Sequence, residues 1–402
     1  MPTFEEARKL ILERVAPLGR ERVPVSAAAG RVLSEDLRAP WDMPRWDNSA
    51  MDGYAVRSAD CTGPAALRIS GSRAAGDPAA PRVSPGAAVR IMTGSPIPEG
   101  CDAVVPFEQA VEDGELVRIA EPVIPRANVR FRGEDVKTGD LVVPAGTVLR
   151  PPEIGMLASF GRAFVPVYRK ASVALLSTGD ELVELGEPLP AGRIINSNSV
   201  SLAAAVEEAG AVPVLLGIAP DDKRRLREKI EEGLRADALI TSAGVSAGDR
   251  DFVREVLGDL SVTPVFWKVD SKPGRPLAFG VKDGVPVFSL PGNPVSSLVT
   301  FEVFARPALL KMMGHADPVK PLVKAVLKEP VRKKAGRVHF FRVRIAVEGG
   351  EYVAWTSGDQ STGILKTMVL ANGIAVLPAE KTFFESGEKV DVFLLYRPGM
   401  LR

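Results

Sequence analysis

Most of the side chains in this sequence that could do chemistry fall in a few polar loops between residues 177 and 294. "TGDELVELG" carries Asp180 and Glu181, and "APDD" carries Asp221 and Asp222. "AGVSAGDRD" holds Gly244, Ser246, Gly248, Asp249 and Asp251, and "LPGNP" holds Pro291, Gly292, Asn293 and Pro294. "WKVDSKPGRP" adds the cations Lys268, Lys272 and Arg275. Carboxylates alone repel phosphates. Carboxylates with Mg²⁺ hold them, because Mg²⁺ takes oxygen from one or two carboxylates and from the substrate. Acids and cations together therefore point to a phosphorylated substrate, a magnesium ion and room for a second reactant. "SAGVSAGD" is neither a Walker loop nor a dinucleotide fingerprint. Its small residues would still let a flat ring approach, and N–H groups at a following helix start could meet a phosphate.

Each loop also has a plainer use. Asp221 or Asp222 could cap the helix that follows, and Asn293 before Pro294 fits an N-cap with proline at the first helical position. Convergence favours a site. Residues 171–315 alternate short apolar strands ("ASVALLS", "VPVLLGI", "DALITS", "VPVFSL") with helices, such as "DDKRRLREKIEEGLRA" with Leu226, Ile230 and Leu234 on one face. That alternation predicts an α/β domain with a mostly parallel sheet. Ligands of such sheets bind beyond the carboxyl ends of the strands, where all of these loops would gather.

The rest of the composition narrows the chemistry. Two histidines (His315, His339) and two cysteines (Cys61, Cys101) in 402 residues exclude a zinc or iron–sulfur site built from protein atoms. Lysine plus arginine is 51 against 50 acidic residues, so nucleic-acid or membrane-surface binding is not expected. No apolar run approaches the ~18 residues of a membrane span, and the N-terminus lacks a signal-peptide pattern. A cytoplasmic protein without a Cys61–Cys101 disulfide is expected.

Around the α/β domain the pattern changes. We expect a helical and linker arm over 1–46 and 141–170, with helices at 3–15 and 151–169 and a small helix within residues 21–40. A β-rich domain over 47–140 is inserted in that arm, and a small β-barrel or sandwich follows over 316–402. One stretch, "DNSAMDGYAV" at 47–56, has no strand alternation and concentrates polar groups. Asp47, Asn48 and Ser49 suit a network of side-chain turn bonds, which leaves Asp52 for a ligand.

"WDNSAMDGYA", "RIMTGSPIPEGCDAVV", "RGEDV", "STGDEL", "SAGVSAGDRDF", "KPGRPLAFG" and "LPGNPVSS" occur in that order. Together they resemble the molybdopterin molybdenumtransferase family, MoeA and the gephyrin E domain, from about residue 5 to the C-terminus. The resemblance implies a homodimer with a shared active site and a middle α/β domain similar to molybdopterin adenylyltransferase, with a C-terminal β-barrel. It implies a reaction that inserts molybdate or tungstate into adenylylated molybdopterin, with Mg²⁺-dependent release of AMP. The soft sulfur ligands of the metal would come from the pterin dithiolene. The implied catalytic residues are Asp52, Asp135, Glu181, Asp221 and Asp251, of which Glu181, Asp221 and Asp251 would hold Mg²⁺. Substrate would meet Thr93, Ser177, Thr178, Gly179, Gly244, Ser246, Gly248, Asp249, Lys268, Lys272, Arg275, Pro291, Asn293, Pro294, Arg342 and Ser361 or Thr362 of "GDQSTGIL". Adenylyl transfer to molybdopterin and a non-catalytic scaffold role remain alternatives. The adenylyltransferase and recipient molybdoenzymes are further candidate partners.

Overall fold

The computed structural model describes residues 1–74, 76, 82–244 and 252–398. The chain forms two compact units: residues 1–34, 146–151 and 164–402 make one, and residues 35–145 and 152–163 the other.

In the larger unit, a six-stranded sheet runs in the order Val212–Ala219, Ser172–Thr178, Ala238–Ser242, Val285–Leu290, Ala278–Lys282, Thr263–Phe266. The first four strands are parallel and the last two antiparallel, so the expected mostly parallel sheet carries an antiparallel margin. Alternation along the strands fills both faces. Val173, Leu175, Ile240 and Phe288 pack with the helix Ser197–Glu208 and the helical segment that begins at Pro294. Ala174, Leu176, Leu239 and Val287 pack with Leu226 and Ile230 of Lys223–Gly233 and with Val253 and Val256 of Phe252–Asp259. Strand order reverses around Ser172–Thr178, whose two neighbours lie on opposite sides. The crevice beyond its carboxyl end is where such a sheet opens to a ligand.

The C-terminal strands close on themselves. Val338–Glu348, Glu351–Thr356, Leu322–Leu327, Lys389–Leu394 and Gly373–Leu377 follow one another, and the last pairs back onto the first through Arg342 opposite Ile374. This is the expected barrel. Ser271–Lys272 adds to it in parallel, with Lys272 beside His339. The barrel therefore fixes one of the cationic loops of the α/β domain.

The N-terminal helix Phe4–Arg14 starts at a capping box between Thr3 and Glu6 and buries Phe4, Ala7 and Ile11. The helix expected over 151–169 is shorter. It ends at Ser159, Gly161 takes a left-handed φ of 67°, and Phe164–Tyr168 becomes a strand paired antiparallel with Arg20–Pro24. The alternating "FVPVY" has the period of a strand. The small helix expected within 21–40 is likewise replaced, by a single 3₁₀ turn at Val25–Ala27 and short β-pairings. Val32 and Leu33 bridge to Val148 and Val167, and Leu37–Arg38 pairs with Leu141–Val143, so pairing with distant segments overrides the local pattern.

The smaller unit is β-rich, as expected. Its six-stranded sheet is ordered Ala103–Pro106, Gly53–Val56, Ala87–Ile91, Ala65–Arg73, Leu116–Ile119, Ala110–Asp113. Tyr54, Val56, Leu67, Ala88, Val105 and Val117 form its main core. Among the described residues no helix is long and apolar enough to cross a membrane.

Candidate functional site

A cavity of about 480 Å³ opens at the carboxyl ends of the parallel strands, walled by Ser177, Glu181, Asn196, Asn198, Gly244 and Asn293 among others. Two asparagines build its frame. Asn196 caps the helix Ser197–Glu208, and its Oδ1 accepts from the Ser177 hydroxyl at 2.8 Å and from the Ser199 N–H at 3.3 Å. Asn198 donates its amide to Ser242 Oγ at 2.8 Å and to the Gly292 carbonyl at 2.7 Å, tying two strand-end loops together. Asn196 Nδ2 and Asn198 Oδ1 are buried without partners among the described residues. Sequence reasoning missed both asparagines. "INSNS", directly after a short strand, was the available signal, and it reads first as an ordinary helix cap.

Of the expected substrate residues here, Ser177 and Thr178 are buried. The Ser177 hydroxyl serves Asn196, and the Thr178 hydroxyl donates to the Ser242 carbonyl at 3.5 Å. They hold the wall in place. Gly244 sits at φ 75° with Val253 and Thr178 against it, so a side chain there would be both strained and obstructed. Pro291, Asn293 and Pro294 line the same cavity. Ser246, Gly248, Asp249 and Asp251 lie outside the described residues.

The acids lie on the loops after two neighbouring strands. Thr178 is level with Ala219, which brings the loops of Glu181 and Asp221 side by side, and the Asp221 N–H donates to Asp180 Oδ1 at 3.1 Å. Asp222 does cap its helix, accepting from the Arg225 N–H at 2.8 Å. Glu181 and Asp221 are exposed carboxylates. Hard oxygen donors of this kind fit Mg²⁺, which keeps several ligands from water and substrate. Among the described residues no three acidic, histidine or cysteine side chains converge on one point. A cation here would need oxygens from substrate and water to complete its shell.

A second cavity, of about 610 Å³, lies where the barrel meets the cationic loop. Lys272, Arg332, Lys333, Lys334 and His339 line it with Ser361 and Thr362, and Asp359 is its one carboxylate among the described lining residues. Lys268, Lys272 and Arg275 are exposed and have no carboxylate partner among the described residues. Arg342, expected at the ligand, is wholly buried. Its Nη2 donates to the carbonyls of Asp359 (2.9 Å) and Ser361 (3.2 Å), and its Nε donates to Thr367 Oγ1 at 3.0 Å. Its own N–H donates to Gln360 Oε1 at 2.9 Å. Burial pulls its pKa down, with Asp359 opposing. Arg342 thus shapes the loop that presents Ser361 and Thr362. The two cavities meet where Asn293 Nδ2 donates to Thr362 Oγ1 at 2.8 Å.

In the smaller unit, Asp52 and Thr93 come together. Asp52 Oδ1 accepts from the Thr93 N–H at 2.7 Å and from its hydroxyl at 2.8 Å, and the backbone bond first, then the hydroxyl, holds the Asp52 carboxyl below its ordinary range. Asp47 accepts from the Arg132 N–H at 2.7 Å, and the Ser49 hydroxyl donates to the Met51 carbonyl at 2.5 Å. The polar run at 47–56 is therefore partly the expected turn network, with Asp52 left on an exposed edge. Asp135 is exposed too, anchored by its N–H on the Met43 carbonyl at 3.1 Å.

Comparison with known proteins agrees with this architecture. Residues 2–161 match the MoeA N-terminal region (domain I and II), 174–311 a probable molybdopterin binding domain, and 324–395 the MoeA C-terminal region (domain IV). The chain is 38% identical to the molybdopterin molybdenumtransferase of Haemophilus influenzae, with 98% of each chain covered. It is 36% identical to molybdopterin molybdenumtransferase 2 of Mycobacterium tuberculosis, over 98% of this chain and 99% of the relative. Among solved structures, the molybdopterin biosynthesis moeA protein of Pyrococcus horikoshii OT3 is similar with a TM-score of 0.83 and 32% identity, over 98% of this chain and all of that one. The chain belongs to the molybdopterin molybdenumtransferase family, transferases of molybdenum cofactor biosynthesis.

Proposed function

We propose that this protein inserts molybdate or tungstate into adenylylated molybdopterin and releases AMP. The supporting observation is the pair of adjoining cavities, one polar and walled by amides, the other lined by cations, with Asn293 and Thr362 at their border. The first suits a pterin bearing a nucleotide. The second suits a doubly charged oxyanion, which Lys272 attracts and the Ser361 and Thr362 hydroxyls orient. Arg342 holds those hydroxyls in position from behind. Adjoining seats hold oxyanion and dithiolene close together, which replaces a bimolecular encounter by an oriented one.

Glu181 and Asp221, with Asp251, would hold Mg²⁺, which when bound neutralises charge on the linkage to AMP. We further propose a cytoplasmic homodimer in which Asp52 and Asp135 of one copy serve the α/β crevice of the other. Mixed dimers of Asp52→Ala and Glu181→Ala subunits would regain activity if so.

The test of the reaction is purified protein with adenylylated molybdopterin, Mg²⁺ and graded molybdate or tungstate, scored by AMP release and metal retained on the pterin. A parallel arm with ATP and free molybdopterin separates adenylyl transfer. Product in that arm alone would overturn the reading.

A further inference from the structure

His339 occupies an unusual place in the cation-lined cavity. It is the second residue of the long barrel strand Val338–Glu348, directly beside Lys272 on the added strand, and is 6% exposed. Its ring stacks on Phe341 at 6.0 Å and has no hydrogen-bond partner among the described residues. Among the described residues, neighbouring elements bring it the following charged groups, with Glu380 acting on Lys333 beyond them. Lys272 comes from the added strand. Lys333 and Arg337 come from the segment before Val338, with Arg332 and Lys334 also on the cavity wall. Asp359 comes from the 358–362 loop. The paired strand Gly373–Leu377 brings no titratable side chain. Three of these cations are engaged elsewhere: Lys333 Nζ donates to the carbonyls of Lys334, Arg337 and Ala379, Arg337 pairs with Asp270 at 3.6 Å, and Arg332 lies over the Phe383 ring at 4.6 Å. Positive charge thus surrounds an imidazole that is itself short of partners.

We propose that His339 is the proton-coupled member of this cavity: neutral in the free protein, it takes a proton from solvent onto its ring when a doubly negative tetrahedral oxyanion settles among the cations. This rests on the reading of the cavity as an oxyanion seat. The physical reason is that the same cations and burial that disfavour imidazolium in the free protein, holding His339 down to about 4, are offset once two negative charges enter. The proton then adds an N–H donor at a wall otherwise served by ammonium groups and hydroxyls. Oxyanion affinity becomes a function of pH through one residue, and the seat favours dianions over monoanions.

The test is calorimetric titration of the full-length protein with sodium molybdate, with a tungstate arm, between pH 5 and 8 in buffers of different ionisation heat. The wild type should take up close to one proton on binding at the acidic end, with affinity rising up to about tenfold per pH unit lost. His339→Gln should bind without that uptake and with a flatter pH profile, and any protonation of the oxyanion itself is common to both proteins. The chain has only two histidines, so proton NMR gives a second readout that needs no variant at 339, with His315→Asn assigning the signals. The His339 titration should move up by about two units or more when molybdate is added. Binding with no proton uptake and an unmoved His339 titration overturns the inference and leaves the oxyanion seat intact. No binding of either oxyanion at any pH overturns the seat itself, and the inference with it.

Discussion

Asn293 stands at the N-cap of the helix Pro294–Thr300, yet its side chain makes no capping bond and donates instead to Thr362 Oγ1 at 2.8 Å. An amide at a helix start normally satisfies a backbone N–H. Here it reaches across from the α/β crevice to the barrel loop and fixes the border between the two cavities. The proline that follows, at the first helical position, presets the helical φ and removes one of the unpaired N–H groups of the helix start. Asn293→Ala should therefore cost little stability but lower kcat/KM by about tenfold or less, the scale of one hydrogen bond. Thr362→Ala should do the same, and the double variant should add little to either. Steady-state AMP release with thermal melts checks this, and full additivity would mean the contact is idle.

Arg342 is the second structural lever. Its guanidinium is buried beneath the 358–362 loop and serves the Asp359 and Ser361 carbonyls and Thr367. Arg342→Met leaves those acceptors buried without donors and should destabilise the protein by about 3 kcal/mol. Lysine lacks the planar fork and should not rescue it. Urea denaturation measures the loss, and a change below about 1 kcal/mol would contradict the role.

Thr93 sets the charge of Asp52. Its N–H and hydroxyl both donate to Asp52 Oδ1 and hold the carboxyl ionised to lower pH than usual. Thr93→Ala keeps the backbone bond and removes the hydroxyl, so the Asp52 titration should move up part of the way toward the ordinary aspartate value. Carboxyl-carbon NMR across pH 2–6 reads this, and an unmoved titration would mean the hydroxyl contributes nothing.

His339 also ties stability to pH. Burial first, then Lys333, Lys272 and Arg337, hold it at about 4 against the ordinary 6.5. The unfolded chain therefore takes the proton before the folded one as pH falls. The contribution is complete above about pH 6.5 and is lost progressively toward pH 4, by about 3 kcal/mol. Denaturation of the wild type and His339→Gln at pH 7.5 and 4.5 should show a smaller acid-induced loss in the variant.

Much of this site was legible in the sequence, because loops after strands of a parallel sheet must gather at one edge. Glu181, Asp221, Gly244 and Asn293 are found on those loops, three of them lining one cavity. What composition and spacing could not reveal was how side chains are used once there. Asn198 reads as a helix residue and acts as a tie between two loops. Arg342 reads as an anion binder and is sealed beneath the loop it shapes. His339 gains its surroundings only through a strand pairing between residues 67 positions apart (339 − 272), a contact that no local pattern encodes. The helix expected over 151–169 failed for a related reason: strand pairing with Arg20–Pro24 overrode a helical start.

Single-turnover AMP release from adenylylated molybdopterin, followed as molybdate is varied, tests the two-cavity account most directly when wild type, Lys272→Met and Glu181→Ala are compared. The account predicts that Lys272→Met needs at least about tenfold more molybdate for half-maximal release while binding the adduct normally. It predicts that Glu181→Ala binds the adduct and releases almost no AMP at any molybdate concentration. Release that ignores molybdate, or that is unchanged in both variants, would contradict it.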